Sequence, residues 1–224
     1  MEKNNNNNLT KVIYNDGTVR YYNIIGEIKG KITGFTPTSQ IERIKHAVHI
    51  ELGETVTAIG DFAFVNCTRL KSVIIPDSVT IIGDSAFYNC NSLVKVIMPN
   101  SVTTIGKFVF GCCKNLTHIE IPDSVTSIGN SAFTHCESLT NIEIPNSVTS
   151  IRSYTFYNCT NLKNVTIPNS VVEIDDNAFG YCRNITKIVI PDNVEFMGDY
   201  VFMQCKNLKE IKLSANIPFD RRYF

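Results

Sequence analysis

Leu70-Lys-Ser-Val73-Ile-Ile75-Pro76-Asp-Ser-Val79-Thr-Ile-Ile82-Gly83-Asp-Ser-Ala86-Phe87-Tyr-Asn-Cys90 decides the fold, because the chain repeats this stretch along most of its length. Ile59-Gly60, Ile82-Gly83, Ile105-Gly106 and Ile128-Gly129 fall 23 residues apart, and the series continues as Ile151-Arg152, Ile174-Asp175 and Met197-Gly198. Phenylalanine recurs at 64, 87, 110, 133, 156, 179 and 202, and valine at 56, 79, 102, 125, 148, 171 and 194. Cysteine keeps the same step as Cys67, Cys90, Cys113, Cys136, Cys159, Cys182 and Cys205, and proline marks 76, 99, 122, 145, 168 and 191. Chance does not hold so many residue types in register without insertion or deletion. A fixed short period is the signature of a stacked repeat.

Within one unit, Val73 and Ile75 alternate with Ser72 and Ile74, which reads as a short strand. Pro76 ends it, since proline has no N–H for the ladder. A bend then carries the chain through Val79 and Ile82 to a tight turn at Gly83. Asp84 or Ser85 is placed to cap a single helical turn that points Ala86, Phe87 and Cys90 inward. One such unit cannot bury its apolar side alone, and stacking coil on coil supplies both interstrand hydrogen bonds and a second covered face. The expected fold is a right-handed solenoid, mostly β, with a parallel sheet on the concave side and short turns or single helical turns on the convex side.

Composition narrows function. The 224 residues carry 21 Lys and Arg against 21 Asp and Glu, a formal net charge of zero, which gives no electrostatic preference for nucleic acid. No apolar run approaches the roughly 18 to 20 residues of a membrane span, so no membrane insertion is expected. The start, Met1-Glu2-Lys3 followed by Asn4 to Asn8, shows no secretory or organellar address, and the cytoplasm is the expected location. Asn-x-Ser/Thr triplets at Asn8, Asn66, Asn115, Asn158, Asn164 and Asn184 matter only in a secretory lumen.

The unit Ile-Pro-Asp-Ser-Val-Thr-Ser-Ile-Gly-Asn-Ser-Ala-Phe-Thr-His-Cys-Glu-Ser-Leu (121 to 139) and its copies resemble the BspA-type leucine-rich repeat, a 23-residue class found in bacterial surface proteins and protozoan proteins. The resemblance covers about 56 to 213 and rests on the Ile-Pro, Ser-Val-Thr, Ile-Gly, Ala-Phe and Cys-x-x-Leu elements together. It implies a curved leucine-rich-repeat solenoid with no catalysis and no cofactor, used for protein binding and in several members for adhesion. Surface members carry a signal peptide and an anchor, whereas neither is visible here. An adhesin-like protein reaching the surface by an unconventional route is the alternative to a cytosolic scaffold.

Eight cysteines invite a disulfide or zinc reading. Seven share one column, however, so neighbouring thiols stack with parallel Cβ vectors, and a disulfide needs opposed ones. A ladder of free, buried thiols acting as small hydrophobes is expected. Cys112 stands outside the column, and Cys112, Cys113 and His118 lack a fourth ligand for a metal.

The ends of a solenoid need covering. Residues 1–8 read as a disordered Asn-rich leader and 9–55 as an N-terminal cap. The cap contains a hairpin around Asn15-Asp16-Gly17, then a degenerate coil in which Ile41, Ile44, Ala47, Ile50, Leu52 and Val56 fall on repeat columns. Regular repeats fill 56–213, and 214–224 reads as a cap or as a surface for weak association, the chain being otherwise a monomer.

A two-coil period lies inside the first. Phe62, Phe108, Tyr154 and Tyr200 alternate with Ser85, Ser131 and Asn177. Interlocking of large and small residues, a duplication history and a ligand-binding aromatic row each account for it. On the strand face the outward residues are uneven. Ile74 and Ile97 make an exposed apolar pair, with Lys95, His118, Glu120, Asn141 and Glu143 on adjoining coils. An apolar patch with a polar rim marks a partner site, so these seven residues are the expected contact for a protein or peptide. Acid–base chemistry is not expected, because the face lacks a nucleophile, base and orienting group in a desolvated pocket.

Overall fold

The computed structural model describes residues 5–28 and 44–224. The chain forms a β-solenoid of about seven turns with parallel sheets. One line of strands runs through Ala47–Glu51, Ser72–Ile74, Lys95–Ile97, Asn141–Glu143, Asn164–Thr166, Lys187–Val189 and Glu210–Lys212. Its register is the repeat itself, with Ser72 beside Lys95, Val73 beside Val96 and Ile74 beside Ile97. Pairing in register stacks identical columns, so every inward valine meets another inward aliphatic residue.

A second line, read from sequence as a bend, consists of Val56–Ile59, Ile81–Ile82, Thr104–Ile105, Ser127–Ile128, Ser150–Ile151, Glu173–Ile174 and Phe196–Met197. Two residues, the length of every member but the first, are too few for alternation to announce a strand. The bonds that make it one come from the coils on either side.

The repeat coils contain no helix, which corrects the expected helical turn. The reason is visible in the hydrogen bonding of one coil. Ala86, Tyr88 and Cys90 donate their N–H to Gly83, Ser85 and Phe87, while Ser85, Phe87 and Asn89 donate to Lys107, Val109 and Gly111 of the next coil. Alternate N–H groups leave the coil, so i to i−4 bonding never starts. Ser85 and Asn89 take left-handed backbone angles, φ 55° and 60°, and reset the chain direction after each turn. Asp84 is not a helix cap: its Oδ1 accepts from the N–H of Lys107, 2.7 Å away, as Asp61 does from Asp84.

Gly83 does not supply a left-handed turn either. A Cβ on it would stand 2.7 Å from the Asp61 nitrogen and 2.8 Å from the Gly60 carbonyl carbon, so glycine is there to let two coils touch.

The core is a set of columns. Rings of Phe64, Phe87, Phe110, Phe133, Phe156, Phe179 and Phe202 stack with centroids 5.0 to 5.9 Å apart. The valine column beside them is fully buried or nearly so. Polar columns are satisfied the same way: Ser78, Ser101, Ser124 and Ser170 donate their hydroxyls to Val56, Val79, Val102 and Val148 carbonyls at 2.6 to 2.7 Å.

At the N-terminal end, Thr10–Tyr14 pairs antiparallel with both Val19–Tyr22 and Ala47–Glu51, covering the edge of the first line. The hairpin turn holds Gly17 at φ 81°. Gly26–Ile28 pairs with Val56–Ile59 and covers the second line. Of the leader expected over 1–8, Asn5–Asn8 forms a short 3-10 turn, in which the Asn7 and Asn8 carbonyls accept from the Glu54 N–H and the Thr55 hydroxyl, and residues 1–4 lie outside the described residues. Ile44, Ala47, Ile50, Leu52 and Val56 are buried, and Ile41 lies outside the described residues. At the far end Ile217 and Tyr223 are buried, and the Arg222 and Tyr223 carbonyls accept from the N–H groups of Tyr200 and Phe202. The tail thus takes the place of an eighth coil on that side.

Candidate functional site

The outward positions of the first strand line form one face. Its side chains are held in place by neighbours one coil away: His49 Nδ1 lies 2.7 Å from the Ser72 hydroxyl, Asn164 Nδ2 donates to Asn141 Oδ1 at 2.6 Å, and Lys187 pairs with Glu210 at 2.5 Å. Between these ordered stretches sit Ile74 and Ile97, 38% and 41% exposed and paired across two coils. Lys95, Glu120, Asn141 and Glu143 are exposed beside them, and His118 approaches Glu120 at 3.6 Å. That contact is open to water, and surface pairs of this kind contribute little to stability. Glu143 has no ion-pair partner among the described residues.

The structure therefore brings the seven expected residues onto four successive coils, and it adds a feature absent from the sequence reading. Residues 118–120 do not form a strand, and no backbone hydrogen bond joins 94–98 to 117–121. The bond from Thr140 N–H to the Thr117 carbonyl, at 3.3 Å, is the backbone link between 117–121 and 140–144. A cleft of about 210 Å³ opens there, lined by His118, Ile119, Glu120, Ile121, Asn141, Ile142 and Glu143. A backbone whose N–H and C=O groups lack ladder partners is a surface ready to accept hydrogen bonds from another chain.

The seven column cysteines are buried and unpaired as disulfides. They do more than fill space. Sγ of Cys90, Cys113, Cys136, Cys159, Cys182 and Cys205 donates to the carbonyl of the phenylalanine 26 residues earlier, at 3.1 to 3.2 Å. Burial pushes the thiols up, Cys67 to about 11 and both Cys159 and Cys205 to about 12. The metal set weighed from sequence is not assembled. Cys113 points inward to the Phe87 carbonyl, His118 sits on the strand face, and Cys112 Sγ lies 3.7 Å from the Tyr88 hydroxyl on the turn face. Among the described residues no group of three or more His, Cys, Asp or Glu is arranged to hold a metal.

A larger hollow of about 570 Å³ lies beside the hairpin, lined by Tyr14, Asn15, Asp16, Thr18, Arg20, Tyr22, His46 and Arg69. The turn face carries Phe62, Phe108, Tyr154 and Tyr200, each at least 40% exposed.

No helix among the described residues is long and apolar enough to cross a membrane. No curated protein matches the chain. Among solved structures, a leucine rich cell surface protein from Faecalibacterium prausnitzii A2-165 is 34% identical, with a TM-score of 0.70 over 99% of this chain and 56% of that one. The chain therefore spans little more than half of that relative. The T. pallidum Leucine Rich Repeat protein is 27% identical, with a TM-score of 0.67 over 93% of this chain and 91% of the other. The profile of the BspA type Leucine rich repeat region matches in 6 copies over residues 42–147 and 126–223. With its period, its stacked columns and this match across most of its length, the chain belongs to the BspA-type leucine-rich repeat family.

Proposed function

We propose that this repeat protein is a non-enzymatic scaffold that binds a protein or peptide on its strand face. The interruption of the strand ladder at 118–120 carries this reading, since it sets unpaired backbone and a cleft beside the exposed Ile74 and Ile97. Apolar side chains supply affinity once desolvated, while the backbone groups and the Glu120 and Glu143 carboxylates supply direction. An extended segment with apolar residues and a basic one fits this order of groups. The test is affinity capture with the intact chain against Ile74→Asp/Ile97→Asp and Glu120→Gln/Glu143→Gln. Partners retained by the parent and lost by both variants support the face; an identical set retained by all three removes it.

A second reading, an adhesin-like surface protein, is favoured by the 34% identity to a protein described as a cell surface protein. That likeness runs against the cytoplasmic expectation. Protease shaving of intact cells separates the two: loss of the protein on shaving places it outside, and survival until lysis places it inside.

A further inference from the structure

The turn face bears a surface that the strand-face reading does not use. Each coil turns through a residue in the left-handed region at the same column, and in order these are Phe62, Ser85, Phe108, Ser131, Tyr154, Asn177 and Tyr200, with φ between 54° and 59°. Such a backbone suits Asn, and a bulky side chain there is uncommon. Ser85, Ser131 and Asn177 show that the turn closes without a ring. The four aromatic positions are not explained as buried packing, since Phe62, Phe108, Tyr154 and Tyr200 remain 42%, 41%, 40% and 50% exposed. Other rings brace two of them: Tyr88 meets Phe108 edge-on at 6.3 Å, and Tyr157 meets Tyr154 at 5.3 Å.

Successive members stand two coils apart, about 10 Å at a rise of one strand spacing per coil. An extended β-1,4-linked glycan presents the same sugar face once per disaccharide, a matching distance, and each face is a set of C–H bonds that packs on the electron-rich face of an aromatic ring. Hydrogen-bonding groups lie alongside. Asp61, Asp84 and Asp176 each engage Oδ1 with the next coil's backbone N–H, which leaves Oδ2 as an acceptor for sugar hydroxyls.

We propose that the column Phe62, Phe108, Tyr154 and Tyr200 is a platform for an extended β-1,4-linked polysaccharide lying along the solenoid axis, one ring beneath every second sugar. Titration calorimetry of the full chain with cellohexaose and chitohexaose tests it, with maltohexaose as the α-linked control. At least one β-linked hexaose is expected to bind, and more tightly than its trisaccharide, because a longer chain reaches further rings. Phe108→Ser/Tyr154→Ser copies the residue that the fold already accepts at 85 and 131, and is expected to weaken binding about tenfold or more. Phe108→Leu/Tyr154→Leu keeps apolar volume without a π face and is expected to lose as much. Ile74→Asp/Ile97→Asp is expected to bind glycan as the parent does. Absence of binding to both β-linked hexaoses, equal binding of maltohexaose, or unchanged affinity in the leucine variant overturns the proposal and leaves the strand-face reading untouched.

Discussion

A cysteine in the inward column has two tasks, and the hydrogen bond is the one a hydrophobicity pattern does not carry. Cys136 is fully buried, and its Sγ lies 3.1 Å from the Phe110 carbonyl. Cys136→Ala removes that donor and opens a small void, so a loss of about 1–3 kcal/mol is expected in urea titrations. Gly83 tests a different constraint. Gly83→Ala sets a methyl against the backbone of the preceding coil at 2.7 Å and 2.8 Å, which no rotamer change relieves. A cost of roughly 1–3 kcal/mol is expected, read as a lowered melting temperature. At this scale the sequence was legible for which side chains point inward, because Phe87, Cys90, Val79 and Ile82 recur at one step and are all buried. It was not legible for what Gly83 or Asp84 does. Both serve contacts with the adjoining coil, and a residue's neighbour 23 positions away leaves no local trace.

Burial raises the pKa of each thiol along the ladder. Its folded values lie above the ordinary 9.0, to about 11 at Cys67 and about 12 at Cys159 and Cys205, because burial disfavours the thiolate. A raised folded pKa means that the unfolded chain loses protons first as pH rises. The stability held by each thiol is therefore complete below about 9, and it falls by about 1.4 kcal/mol per pH unit from there toward the folded value. Denaturation midpoints measured from pH 8 to 11 are expected to drop steeply, and a Cys159→Val/Cys205→Val chain to drop less; parallel curves would show that the ladder does not set the slope. The strand line is the element that sequence conveyed least. His118-Ile119-Glu120 has the same apolar centre and polar flanks as Asn141-Ile142-Glu143, which is a strand, yet the ladder stops there. Side-chain pattern reports which way residues face, while pairing depends on how far apart two coils settle. The second line ends likewise between Ser127–Ile128 and Ser150–Ile151, where Arg152 first replaces glycine in the column that lets coils touch.

Over the whole molecule, contacts run from each coil to the next, so stability is expected to accumulate by nearest neighbours. Excision of Pro99 to Ile121, one 23-residue unit, joins Met98 to Pro122 and keeps every column in step. The shortened chain is expected to fold, with a urea m-value lower by roughly a tenth because less surface is exposed on unfolding. Loss of cooperative unfolding would show instead that the ends communicate across the array. The architecture as a whole was readable because a 23-residue period admits few structures, and the hairpin around Asn15-Asp16-Gly17 was readable from its turn residues; the pairing of Gly26–Ile28 with the second line and the seating of the tail on Tyr200 and Phe202 were not, since the chain leaves the period there.

Hydrogen bonding on the turn face is continuous: Phe64, Phe87, Phe110, Phe133, Phe156, Phe179 and Phe202 each donate to the following layer, the last to the tail. Bonding on the strand side is interrupted between 94–98 and 117–121, thinned to the Thr140–Thr117 bond between 117–121 and 140–144, and interrupted again between 164–166 and 187–189. The molecule is bound like a book, with a sewn spine and a loose fore-edge. Flexing that parts the fore-edge meets less resistance than flexing that strains the spine, so a guest seated among the pages sets their opening angle, and spin labels at 95 and 141 would record a separation that labels at the exposed turn-face positions 108 and 154 do not share.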